Sequence, residues 1–490
     1  MLFNALVILA VFLLLVFICY LLPQEFRWVS VLIASVIFYI FLAEQWIILL
    51  LAICMMAYLG GIVIDTSHDK MKKRILMLFL SIMAISALVY YKYSDFIVDS
   101  VVYLLPGWQI TGPSRMLLLP LGISFFSFRV LSYLFDIYYG RLRHETNPLM
   151  VILYVMFFPE IIAGPIDRPG TLLPQLKKPA EFDYEKVTRG LKLIAWGVFL
   201  KVVVADRLGV YVDTAFSSPE NFKGLTLVFA SLFFTFQIYY DFAGYSLMAI
   251  GAGKALGLNL MTNFNMPYYS KSIIEFWRRW HISLSTWFRD YVYIPLGGNR
   301  VSQPRHAFNI MATFLLSGLW HGANWTFVLW GGIHGVYYLF GSLTEQIRSR
   351  AAIATGLDRH ERLHSFVKIC VTFILVSVAW VFFRANNIKD AIYIVTHFFT
   401  GLSELFDPGK FESILFIGGD INFIVNTSLL VPLIVFVELV MRFYEKKDLI
   451  KKVSDLPYIL RWSFYSGFII FILVIGRYSQ GGQAFIYGRF

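Results

Sequence analysis

The sequence predicts an all-α, polytopic integral membrane protein, and three observations carry that prediction. Of 490 residues, 58% are hydrophobic, 18% aromatic and only 15% charged, with a mean hydropathy of +0.67. Soluble chains carry about a quarter charged residues. The apolar excess falls in blocks of about 17–25 residues, the length that crosses roughly 30 Å of hydrocarbon as a helix. Finally, Lys and Arg gather in short loops between the blocks, which is the positive-inside pattern.

Taken in order, the clearest spans are Met1–Leu22, Trp46–Ile64, Ile75–Tyr91, Val367–Phe383 and Ile459–Ile475. All are apolar on every face, unlike a soluble amphipathic helix. The first has no basic leader and no small-residue cleavage site before Pro23, so it reads as a retained span and not a secretion signal. The basic loops lie at Lys70–Arg74, at Arg141 and Arg143, from Arg348 through Arg362, and at Lys446, Lys447, Lys451 and Lys452. Assigning them to the cytoplasm puts both termini outside and gives about 10–12 spans, with short re-entrant or interfacial helices between some of them. The net charge of +11 then reflects topology and anionic lipid, not nucleic acid. Cys19, Cys54 and Cys370 each sit inside an apolar run without CxxC or Cys/His spacing. They read as small hydrophobes, with neither a disulfide nor a metal site implied.

Three zones divide the chain, which otherwise reads as one domain, 1–490. Residues 1–110 are plain peripheral spans and 346–490 return to plain spans after a basic loop, with a polar stretch at roughly 384–428. Residues 111–345 are apolar yet interrupted by Gly, Pro, His, Arg and Asp. Polar groups at membrane depth are costly unless they face a cavity or one another, so the chemistry is expected in that middle zone. Gly164-Pro165, Pro169-Gly170 and Pro174 mark a broken or re-entrant passage there.

Within this zone, Lys271–Ile294 has no Gly or Pro in 24 residues and is expected to be one helix. On that helix Arg278, His281, Ser285 and Arg289, with Asp290 beside the last, would form a single polar stripe. Glu275 could pair with Arg279 at i+4. A turn at Pro295–Arg300, including Asn299, ends it. The next span closes on Ser317-Gly318-Leu319-Trp320-His321-Gly322, with Asn324 just beyond. Gly318 and Gly322 give the small-xxx-small spacing that lets another backbone approach, placing His321 at a helix crossing. Asp241 lies in an aromatic run, Tyr239–Ser246, where it is expected to hold an Arg or orient helices. The sequence has no P-loop, dinucleotide glycine fingerprint, GxSxG elbow or HExxH. Nucleotide hydrolysis, hydride transfer and standard serine or zinc hydrolysis are therefore unsupported.

Two segments together make the chain recognisable: EFWRRWHISLSTWFRDYVYIPLGGNR and LSGLWHGANWTFVLWGGIHG. They closely resemble the membrane-bound O-acyltransferase family in its alginate O-acetyltransferase branch. PLGISFFSF, FFPEIIAGPIDRPGTLLPQL, YDFAGYSLMAIG, VFFRANN and the aromatic end Phe485–Phe490 are similar to the same branch. The resemblance covers nearly the whole chain. It implies a ring of helices around a tunnel, with the acyl donor arriving from the cytoplasm and the acceptor from outside. It also implies that His321 is the catalytic histidine and His281 the second important one. Leu247, where the branch usually has an acidic residue after GYS, is more like the D-alanyl transfer relatives. Those relatives, however, lack the PLGGN turn.

The implied donor is a cytoplasmic thioester, acetyl-CoA or another acyl thioester, with no bound cofactor and no metal. The implied partners are membrane lipid and a separate exported polysaccharide acetyltransferase, in the bacterial inner membrane. On this reading His321 is the base or transient acyl acceptor. His281 would polarise the carbonyl, with Arg278 and Asn324 as candidate supports and Ser285, Arg289, Asp290, Asn299, Trp320 and Asp241 as further candidates for support or for binding donor or acceptor. Alginate, cellulose and peptidoglycan all remain open as acceptor. So do D-alanyl transfer to teichoic acid and, outside enzymes, a polysaccharide or lipid transporter or an export scaffold.

Overall fold

A computed structural model describes residues 2–105, 119–178, 181–401, 417, 428–446 and 449–477, with side chains from residue 10 and up to 443 in the penultimate long helix. The aromatic end and most of the polar stretch after residue 401 lie outside the described residues. Among them every regular element is helical. The first half carries α1 (Leu2–Leu21), α2 (Arg27–Ala43), α3 (Ile47–Thr66), α4 (Lys70–Leu88), α5 (Ser94–Leu104), α6 (Ile123–Tyr138), α7 (Pro148–Met156), α8 (Pro169–Lys177) and α9 (Tyr184–Val198). The second half carries α10 (Asp206–Ser217), α11 (Leu225–Ala255), α12 (Ile273–Arg279), α13 (Ile282–Phe288), α14 (Gln303–His321), α15 (Trp325–Leu343), α16 (Glu345–Ala354), α17 (Glu361–Arg384) and α18 (Ile388–Thr396). Helices Leu430–Lys446, Leu449–Ser454 and Tyr458–Ile475 follow.

Five stretches of the described residues are long and apolar enough to cross a membrane: Gln24–Thr66, Lys70–Leu104, Leu225–Ala255, Glu361–Arg384 and Tyr458–Ile475. Four of these contain the spans expected from the sequence after the first. Leu225–Ala255 differs, because its most apolar window is 72% buried, against 6% for Tyr458–Ile475. Protein surrounds the first and apolar solvent must surround the second, which explains why α11 tolerates Asp241 and several hydroxyls. Phe41, Ile48 and Ile459 are each at least 77% exposed, a surface that only lipid can cover at no cost. At the start of α4 the cations oppose the helix dipole. Asp69 offsets this by capping, accepting from the Met71 and Lys72 amides at 2.8 and 3.3 Å. Cys19 and Cys54 are buried as expected, whereas Cys370 is half-exposed.

The chain clusters in two compact units: Met1–Ile194 with Ser246–Thr262, and Ala195–Tyr245 with Asn263 onward. In the first, the irregular passage 157–168 is mostly buried in protein, the condition under which broken backbone is tolerated at membrane depth. Its Glu160 meets Arg129 of α6 at 2.8 Å, both almost fully buried. Pro169, expected in that passage, instead opens α8, since its fixed φ and missing N–H suit a first helical turn.

In the second unit, α14 and α15 pack as a hairpin. A Cβ on Gly318 would meet the Phe327 carbonyl oxygen and lie 3.3 Å from the Gly331 Cα. Gly331 meets α14 in the same way, through the Phe314 carbonyl. The close approach expected at Gly318 is therefore made by Gly331, whereas Gly322 is filled by the Phe327 ring. Gly318→Ala should cost about 1–3 kcal/mol, because backbone and not a flexible side chain stands in the way. A lowered midpoint in detergent thermal unfolding checks this; an unchanged midpoint would mean the crossing can relax.

Candidate active site

His321 is the last residue of α14, and the chain turns extended at Gly322. His281 occupies a sharper feature. The stretch expected as one helix breaks into α12 and α13, and His281 stands at the break with φ 41° and ψ 55°, the left-handed region. Nothing local demands this, since no Gly or Pro is present. Tertiary hydrogen bonds impose it. The Asn265 amide donates to the Arg279 carbonyl at 3.0 Å, and the Ile282 amide to the Asn263 carbonyl at 2.9 Å. The Ser283 hydroxyl donates to Asn263 Oδ1 at 2.7 Å. Asn263 and Ser283 are buried, so these bonds are shielded from water. A left-handed non-glycine residue costs about 1–2 kcal/mol, a strain of the kind that clusters at functional sites.

The break brings the two histidines together. Their ring centroids are 6.5 Å apart, and His281 and His321 are 0% and 3% exposed. Trp320 contacts both, 5.0 Å from His321 and 6.2 Å from His281. Phe242 of α11 meets His281 edge-on at 4.6 Å. Trp330 and Phe383 meet His321 at 5.0 and 5.4 Å. A pair of imidazoles in an aromatic, water-poor enclosure can move a proton and donate a hydrogen bond to a carbonyl, the two capacities acyl transfer requires.

Because the helix breaks, Arg278, His281, Ser285 and Arg289 do not share one stripe. Arg278 is exposed. Arg289, also exposed, pairs with its neighbour Asp290 at 2.8 Å. Ser285 donates to the Trp280 carbonyl at 3.1 Å and so closes the break. Arg279 pairs with Glu275 at 2.7 Å, as the spacing predicted. Asn299 is exposed in its turn, and the anchor there is buried Asn309, whose Nδ2 donates to the Gly298 carbonyl at 3.0 Å. Asn324 caps α15, accepting from the Thr326 amide at 3.0 Å and donating to the Asn386 carbonyl at 3.2 Å.

The cation that Asp241 is shown to hold is a lysine, where the sequence suggested an arginine or a role in orienting helices. Lys201 Nζ lies 2.6 Å from Asp241 and 2.8 Å from Asp206. The aromatic run around Asp241 therefore reaches the histidines through its neighbour Phe242. Phe242, Ser283, Trp330 and Phe383 lie within the segments that carry the resemblance and Asn263 outside them, but none stands out there as a site residue, since aromatics and small polar residues carry no signal of their own in so aromatic a chain. Among the described residues no group of three or more His, Cys, Asp or Glu side chains could hold a metal ion.

Residues 32–383 match the family model of the membrane-bound O-acyltransferases. The chain belongs to that family. It is 38% identical over 375 residues to the "Probable alginate O-acetylase" of Pseudomonas putida, covering 76% of this chain and 74% of that one. It is 33% identical over 388 residues to the peptidoglycan O-acetyltransferase of Helicobacter pylori, covering 74% and 72%. Similarity to the teichoic acid D-alanyltransferase of Bacillus subtilis is lower, 28% over 46% of this chain and 59% of that one. The membrane-bound O-acyltransferase described here is thus a multi-pass membrane enzyme that takes its acyl group from a donor.

Proposed function

We propose that this membrane-bound O-acyltransferase passes an acetyl group from a cytoplasmic thioester, acetyl-CoA, across the inner membrane for O-acetylation of a cell-envelope or exported polysaccharide. The single observation that supports the chemistry best is the buried pair His281 and His321, 6.5 Å apart. Acetyl transfer to a polysaccharide is supported by the relatives, which include a "Probable alginate O-acetylase" and a peptidoglycan O-acetyltransferase. Acceptors of that class are alginate-like chains, cellulose and peptidoglycan, reached directly or through a separate exported acetyltransferase. The catalytic region is residues 111–345 of one membrane domain.

In the proposed step, His321 takes the proton of an acceptor hydroxyl as its oxygen bonds to the thioester carbonyl carbon. His281 donates a hydrogen bond to the carbonyl oxygen as negative charge builds there. The carbon–sulfur bond then breaks, and the departing thiolate receives the proton from His321. In a two-step version a His321 nitrogen bonds the acyl carbon first as the carbon–sulfur bond breaks and the thiolate leaves. The acceptor oxygen then bonds that carbon as the carbon–nitrogen bond breaks, and its proton passes through the freed imidazole to the thiolate. Exclusion of water by the surrounding rings keeps the thioester from hydrolysis.

D-alanyl transfer is the second reading, favoured by Leu247 and by the D-alanyltransferase similarity. Mass analysis of envelope glycans from cells with and without the protein separates the two. An acetyl difference is expected, and a D-alanyl difference alone would replace the proposal.

A further inference from the structure

In sequence His334 of α15 lies 13 residues beyond His321, in the next span, and reads with His281 and His321 as one cluster of histidines. The fold brings it closer. One indole, Trp330, touches both imidazoles, with centroids 5.0 Å from His321 and 5.1 Å from His334. Trp380 of α17 stacks on Trp330 at 5.3 Å and meets His334 at 6.3 Å. His334, Trp330 and Trp380 are all 0% exposed.

Donor chemistry fixes the state of His334. The Trp277 indole N–H, which can only donate, points at His334 Nδ1 at 3.3 Å. Nδ1 is therefore the acceptor, and in the neutral ring the proton sits on Nε2. Nε2 is buried and has no protein hydrogen-bond partner among the described residues, and the same holds for the indole nitrogens of Trp330 and Trp380. Three N–H donors thus sit on rings in mutual contact, one of which, Trp330, touches His321, with no acceptor among the described residues. Leaving buried donors unmade is costly, and buried polar groups in native proteins find partners.

We infer that the His334, Trp330 and Trp380 cluster is an acyl-recognition subsite, in which His334 Nε2–H donates to the carbonyl oxygen of the acyl donor before transfer. This rests on the thioester reading above. A carbonyl fits where a hydroxyl does not: it accepts without bringing a proton that needs an acceptor of its own. Its short methyl also suits aromatic walls. His334 is then a binding residue and cannot be the base, because its one basic nitrogen is engaged by Trp277.

The test uses full-length protein purified in detergent and two non-cleavable coenzyme A analogues. One is a ketone carrying the carbonyl of the acetyl group, and the other has a methylene in its place. The wild type should bind the ketone about 10-fold more tightly, the scale of one buried hydrogen bond. His334→Leu should bring the two within about twofold, and His334→Gln, whose amide N–H reaches a similar position, should restore the preference. Trp330→Phe, which deletes the N–H and keeps the ring, should lower it part-way and covers the case in which His334→Leu does not fold. An undiminished preference in both His334→Leu and Trp330→Phe overturns the subsite. Equal binding of the two analogues by the wild type overturns it as well and leaves the thioester donor standing. If the wild type binds neither, the donor reading itself fails and the subsite fails with it.

Discussion

His321→Asn should lower acyl transfer by about 100-fold or more, the scale of losing a general base, while the protein still folds. Asn is polar and can hydrogen-bond, but no nitrogen of an amide accepts a proton near neutral pH. The stability cost should be small. His321 ends its helix at Gly322, so the substitution disturbs no interior turn of α14. What is lost is edge contact with Trp320, Trp330 and Phe383, worth about 2 °C in the melting midpoint of so large a chain. Transfer assays on purified protein, read beside thermal unfolding, check both halves. A well-folded His321→Asn protein with full activity would remove His321 from the chemistry.

His281 should separate backbone from chemistry in a way His321 cannot. Asn tolerates positive φ better than other side chains, so His281→Asn should keep the break between α12 and α13. Its amide can still donate to a carbonyl, though from a shifted position, and transfer should fall by about 30-fold. That is less than the loss expected when an oxyanion donor is deleted outright. His281→Val should fail differently. A β-branched residue at φ 41° adds strain of about 1–3 kcal/mol, so the midpoint should drop along with activity. Equal losses of stability in the two variants would show that His281 serves packing and not transfer. An Asn variant as active as the wild type would show the same.

Much of the architecture was legible because lipid imposes a simple rule. A span must be apolar all round for about 20 residues, and the expected Val367–Phe383 and Ile459–Ile475 fall inside α17 and Tyr458–Ile475 within a few residues. Leu225–Ala255 was harder, because a helix wrapped by protein carries Gln237, Asp241 and hydroxyls that a lipid-facing helix would not tolerate. The Gly318 crossing was legible too, since only a missing side chain lets two helix backbones touch. Which helix would answer it was not, as Gly331 has no feature that distinguishes it from its neighbour Gly332 in sequence.

By itself the sequence determined membrane residence, helical class, the family resemblance and the two histidines worth attention, because each depends on composition or on motifs within one segment. Tertiary structure alone decided how those histidines meet. The stretch from Lys271 to Ile294 has every local reason to be one helix, with no Gly or Pro to break it. Hydrogen bonds accepted by Asn263 and donated by Asn265, some twenty residues earlier, hold it open at His281. They break an expected polar stripe, bury the His281 imidazole near His321, and leave Arg278 and Arg289 exposed. Propensity counts neighbours along the chain. Shielded bonds from a distant segment can outweigh the 1–2 kcal/mol or so of strain at one left-handed residue, and no local pattern records them.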